Sequence, residues 1–272
     1  MSPAALSLLE AAQFAGILGG LLLLWRLGLS AEARRTPAGL SAWAVSGSDF
    51  LLFVWLVICG GLVAPWAATL WLRHTDSTPD FRLILGTAVF QLGMLAGVGL
   101  FHVAFGRRTP PADPVSGAAR HHPLFAGAAA FLISLPVVLV ASLLWQGLLR
   151  LCHLPAPPQE AIEILRRVQG TLPGALLLLS AVGLAPVTEE LIFRAGLFRY
   201  LRTRLPRWAA LLLPAVIFGA MHANLASFAP LVALGLVFAL AYERTGRIST
   251  TIVAHALFNL TATLLVLAGV DL

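Results

Sequence analysis

Apolar residues in this chain run in blocks of about twenty, separated by short segments that hold most of the charges. A helix needs about 20 apolar residues to cross the hydrocarbon core of a bilayer. On that measure the pattern predicts spans at 11-29, 50-72, 83-105, 124-149, 173-193, 208-223, 228-242 and 250-270. The expected fold class is therefore all-α, a polytopic membrane protein with about eight transmembrane helices. The last three spans are short or closely spaced, and Pro186, Pro206 and Pro214 predict kinks or breaks that neighbouring helices must accommodate.

Composition agrees with the pattern. The chain has 272 residues, is 59% hydrophobic and only 11% charged, which places it outside ordinary soluble domains. All 18 basic residues are arginine, giving a net charge of +6. This basicity does not point to nucleic acid, because the arginines gather in short segments between apolar runs, as loop charges beside a bilayer do. The positive-inside rule favours both termini outside, with Arg34, Arg35, Arg107, Arg108, Arg120, Arg199, Arg202, Arg204, Arg207, Arg244 and Arg247 on the inner face. Residues 160-169 read as a short amphipathic surface helix. The first apolar run has no basic residue before it and no small-residue cleavage site after it, so it reads as an anchor rather than a removed signal peptide.

The clearest linker runs from Gly106 to Pro123 and contains Arg120-His121-His122, whose histidines read as solvated loop residues. The useful division is between residues 1-170, four spans of unassigned role, and residues 171-272, because every chemically loaded intramembrane cluster falls in the second. Cys59 and Cys152 lack metal-site or disulfide spacing. His102, in the third span, reads as a packing residue.

Three patterns in the last hundred residues interrupt the apolar runs: Glu189-Glu190-Leu-Ile-Phe-Arg194, Phe218-Gly-Ala-Met-His222 and His255-Ala-Leu-Phe-Asn259. Ionisable groups inside a membrane are costly and by default mark function. Residues four apart on a helix share a face, so Glu190 pairs with Arg194 while Glu189 points about 100° away. Arg194 neutralises one carboxylate and leaves Glu189 to draw a proton from water. His255 and Asn259 share a face as well, and a ring and an amide there suit the oxyanion of a tetrahedral intermediate. A purely structural account must explain six such side chains within about 70 apolar residues.

The ordered trio EExxxR, FxxxH and HxxxN on successive helices resembles the CAAX protease and bacteriocin-processing family, which includes the Ras-converting CAAX endopeptidases and many bacterial homologues. The resemblance covers about residues 171-270, including Tyr242-Glu-Arg-Thr-Gly246. It implies a helical intramembrane endopeptidase, in a bacterial plasma membrane, acting on a membrane-tethered or partly inserted protein or peptide substrate beside the lipid bilayer. Carried over by motif position, Glu189 activates the attacking water with help from His222. His255 and Asn259 stabilise the oxyanion, and Glu190 and Arg194 form the supporting ion pair. The family is described both as metal-dependent and as metal-free. A Zn²⁺ held by His222, His255 and Glu189 is chemically reasonable, although the zincin HExxH pattern is absent.

Other protease classes find no footing. There is no GxSxG, no aspartate lies within a span, and the two cysteines are far from the polar cluster. Two non-proteolytic readings use the same residues: a membrane immunity, scaffold or export-accessory protein, and a proton-coupled transporter. The transporter reading is disfavoured because no internal repeat pairs the polar half with the other.

Overall fold

In a computed structural model the chain is described over residues 3–35, 38–106, 122–157 and 160–270. His121 and most of the Gly106–Pro123 linker lie outside the described residues, while His122 caps the helix that follows. The elements, in chain order, are α1 (Pro3–Leu24), a π-helical turn (Trp25–Leu29), α2 (Ala31–Arg35), α3 (Gly47–Leu72), α4 (Pro79–Phe105), α5 (Pro123–Leu151) and α6 (Glu160–Arg167). There follow α7 (Leu172–Leu179), a first π-helix (Ser180–Leu184), α8 (Ala185–Glu190), a second π-helix (Leu191–Phe198), α9 (Arg199–Leu201), α10 (Arg207–Met221), α11 (Phe228–Thr245) and α12 (Ile248–Leu267).

Seven of the described helical stretches are long and apolar enough to cross a membrane: Ala11–Leu29, Gly47–Leu72, Pro79–Phe105, Pro123–Leu151, Leu172–Leu201, Phe228–Thr245 and Ile248–Leu267. The protein is an all-α, multi-pass integral membrane protein. Its outer surface is apolar, with Leu22, Trp55, Trp66, Leu144 and Trp208 exposed where lipid tails can cover them. The stretch expected to be an eighth span, 208-223, is α10, which has only 15 residues. At 1.5 Å per residue it reaches about 22 Å, short of a hydrocarbon core of about 30 Å.

Helices α3 and α4 cross at two glycines, as small residues allow in a membrane. A Cβ on Gly60 would lie 2.1 Å from the Gly93 carbonyl oxygen, and one on Gly93 would lie 2.1 Å from that of Gly60. Helix α5 packs on α11 and α12 through Ala130, Leu234, Phe238 and Ala254. Helix α6 is amphipathic as expected. Its Ile164 is buried with Val168 and with Ile84 of α4, and Arg167 pairs with Asp80 at 3.1 Å. The hydrogen bond to Asp80, and then its charge, raise the already high basicity of the exposed Arg167 guanidinium.

Four of the arginines assigned to the inner face, Arg199, Arg202, Arg207 and Arg244, tie the end of α11 to its neighbours. Glu243, near the end of α11, accepts from Arg202 at 2.6 Å and from Arg207 at 2.7 Å. Arg199 reaches Ser41 Oγ at 2.8 Å, and Arg244 reaches the Ala33 carbonyl. The segment 38–46 is strapped to the end of α11 by Gly39 N–H to Arg244 O and Leu40 N–H to Glu243 O, both 3.1 Å. Gly246 ends α11 in the left-handed region, φ 64°, a conformation that favours glycine. The Tyr242–Gly246 motif is thus a helix end and its ion-pair anchor.

Candidate active site

The span Leu172–Leu201 is not a regular helix. The glutamates occupy α8, a six-residue α-helical interlude between two π-helices. Such widened turns occur often at functional sites. The change of register has a visible cause. Ala185 N–H bonds Ser180 O, five residues back, so the next bond in that ladder would run from residue 186 to Ala181 O. Residue 186 is proline and has no N–H. Asn259 on α12 takes its place, with Nδ2 donating to Ala181 O at 2.8 Å.

Glu190 lies in the dry interior, 0% exposed. Its Oε1 accepts from Arg194 Nη1 at 2.8 Å and faces His255 Nδ1 at 2.9 Å. The expected i,i+4 pair is present, and it is also the anchor for the histidine. Arg194, 2% exposed, is seated between the rings of Phe218 and Phe238, 4.7 and 5.5 Å from its guanidinium carbon, with Nη2 3.4 Å from Gly235 O. A guanidinium held by a carboxylate and two aromatic faces keeps its charge without water.

Glu189 turns the other way and its side chain is 15% exposed. Its Oε2 faces His255 Nε2 at 3.8 Å. That distance is too long for a direct hydrogen bond and leaves the two atoms facing each other near van der Waals contact. His255 is therefore bracketed, with Glu190 at one ring nitrogen and Glu189 across a gap from the other. Its ring, 3% exposed, also packs on Phe238 and Phe218, with centroids at 5.4 and 6.0 Å.

The structure thus gathers Glu189, Glu190, Arg194 and His255, with Asn259 one turn further along α12. His222 is placed differently. It is exposed at the C-cap of α10, its Nδ1 2.8 Å from Phe218 O and its ring 4.9 Å from the Phe218 ring. Pro214, expected to kink or break its helix, sits inside a continuous α10. The Phe218 ring is in contact with both histidines, its centroid 4.9 Å from that of His222 and 6.0 Å from that of His255.

His222, His255 and Glu189 are the residues named above for a possible Zn²⁺. Among the described residues no group of three or more His, Cys, Asp and Glu is close enough together to hold a metal ion. His255 Nδ1 is engaged by Glu190 and His222 Nδ1 by a backbone carbonyl, which leaves Nε2 as the open nitrogen of each ring. His102, expected to pack, is exposed in the last turn of α4.

One residue of the site was not singled out by its sequence pattern. Gln91 of α4, 98 residues before Glu189, donates from Nε2 to Glu189 Oε1 at 3.1 Å. A lone neutral amide in an apolar run, with no spacing relation to the motifs, carries only the weak signal of being polar in a span.

Residues 171–261 match the family model described as type II CAAX prenyl endopeptidase Rce1-like. The C-terminal part of the chain is thus similar to that family. The matched residues contain all three motifs and every site residue except Gln91. A curated relative, "Putative membrane peptidase YdiL" of Bacillus subtilis (strain 168), is 36% identical over 101 residues, 37% of this chain. The match spans 39% of that relative's length. No solved structure matches the chain.

Proposed function

We propose that the protein is an intramembrane endopeptidase that hydrolyses a peptide bond of a membrane-tethered or partly inserted protein or peptide in a bacterial plasma membrane. The observation that carries this reading is the unequal pair: Glu190 is dry and engaged at Oε1 by Arg194 and His255, while its neighbour Glu189 is partly exposed, with Oε2 3.8 Å from His255 Nε2. In this mechanism Glu189 takes a proton from the water, and the water oxygen attacks the scissile carbonyl carbon. The oxyanion so formed is held by His255 Nε2–H and by the second N–H of Asn259, whose first is committed to Ala181. Glu189 then returns the proton to the leaving amine as the C–N bond breaks.

His222, which the family resemblance pairs with Glu189, stands on the exposed side of Phe218 and helps order the attacking water. No step runs through a metal.

The test is Glu189→Gln, which keeps the shape and removes the base. Proteolysis of a membrane-tethered reporter by purified protein in vesicles is expected to fall by at least about 100-fold, with insertion and folding unchanged. Comparing membrane proteomes of wild-type and E189Q cells for carboxylate-dependent new termini then names the substrates. Wild-type cleavage by the purified variant sinks the assignment of Glu189, and no cleavage by the wild-type protein itself leaves the immunity, scaffold or export-accessory reading.

A further inference from the structure

The Rce1-like match begins at residue 171, so nothing in it gives the first 170 residues a part in the chemistry. The contact between Gln91 and Glu189 does. Gln91 lies in the middle of α4 and is 7% exposed. Its Nε2 donates to Glu189 Oε1, the oxygen that His255 does not face, so the carboxylate is held at one oxygen and turns the other toward His255. Its own Oε1 is buried without a hydrogen-bond partner. An orphaned buried carbonyl costs about 1–3 kcal/mol and calls for an explanation. An apolar residue of the same length would avoid that cost, so Gln91 is poorly explained as packing.

We propose that Gln91 is a positioning residue of the active site: its amide N–H holds the Glu189 carboxylate in the rotamer that faces His255, so α4 supplies part of the site. The proposal rests on the reading of Glu189 as the catalytic base. Helix α4 is in turn set by the Gly60–Gly93 crossing, two residues from Gln91, and by the Asp80–Arg167 pair. The charged and titratable groups around Glu189 are His255 on α12 and Glu190 with Arg194 on its own span.

The decisive variant is Gln91→Met, which keeps length and volume, removes the donor and removes the orphaned carbonyl. With the full-length protein in vesicles, kcat is expected to fall about 10- to 100-fold, with KM within about twofold. The thermal midpoint should stay level or rise. A residue that served only packing would not lower activity while stability held. Wild-type kcat in Gln91→Met overturns the proposal.

Should Gln91→Met fail to fold, Gln91→Glu decides. Two carboxylates that share a site share a proton, and only the protonated form of the new side chain donates to Glu189. Its activity should be confined to lower pH than wild type, and a superimposable pH profile overturns the proposal. Glu189→Gln run in parallel separates the two claims. If it is inactive while Gln91→Met is fully active, only the role of Gln91 fails; if it is active, the reading of the site itself fails.

Discussion

Two adjacent glutamates have been given different environments by one turn of backbone. Glu190 spends its charge on Arg194 and His255 in a dry interior, and Glu189 keeps an edge toward open space. This difference predicts opposite responses to substitution. Arg194→Met strands the Glu190 charge in low dielectric and should cost about 3–5 kcal/mol, read as a large drop in thermal midpoint in detergent. The double change Glu190→Gln with Arg194→Met removes both charges and should recover much of that loss without restoring catalysis. Glu189→Gln should leave the midpoint close to wild type. An Arg194→Met protein as stable as wild type would mean that Glu190 is not held as a charge. The Glu190–Arg194 pair was readable from spacing alone because an i,i+4 relation is local. The bond from Gln91 to Glu189 was not, since it joins residues 98 apart through a neutral side chain.

At the scale of the element, the span carrying the glutamates departs from α-helical register on both sides of α8. Pro186 announced a disturbance in the sequence, but not its form. The widened turn and the inserted Asn259 depend on α12 lying alongside, which no local pattern encodes. The arrangement can be tested as a cycle. Asn259→Ala leaves Ala181 O without its donor and should destabilise by about 1 kcal/mol. In a Pro186→Ala background the backbone regains an N–H for that ladder, so the cost of Asn259→Ala should shrink. Equal costs in both backgrounds would show that the amide does not stand in for the missing peptide N–H. Activity should still fall in both, because the second N–H of Asn259 is lost with the first.

At the scale of the whole molecule, motif content and packing divide the chain differently. The motifs fall after residue 171, yet α4 touches Glu189, α5 packs on α11 and α12, and the strap 38–46 is fastened to the end of α11. Spans and loop charges were legible because hydrophobic length and arginine placement are one-dimensional properties. How the two groups interlock was not, because it rests on glycines whose role appears only when two backbones meet. Gly39 is one instance: a Cβ there would stand 2.6 Å from Arg244 O and 3.0 Å from the Thr245 carbonyl carbon, both backbone atoms. Gly39→Val should therefore unseat the strap and break its two hydrogen bonds to α11. Trp43, which packs edge-on against Phe53 and Phe101 from the same segment, would then lose its seat over α3 and α4. Glu243→Gln weakens the same end more gently, because Arg202 and Arg207 keep a neutral acceptor and part of their exposure to water. The expected order of thermal midpoints is wild type, then Glu243→Gln, then Gly39→Val, with activity falling in step because α3 and α4 carry Gln91 to the site. A Gly39→Val protein with wild-type midpoint and activity would show that the strap does not hold α4, which is then set by the Gly60–Gly93 crossing and the Asp80–Arg167 pair without it.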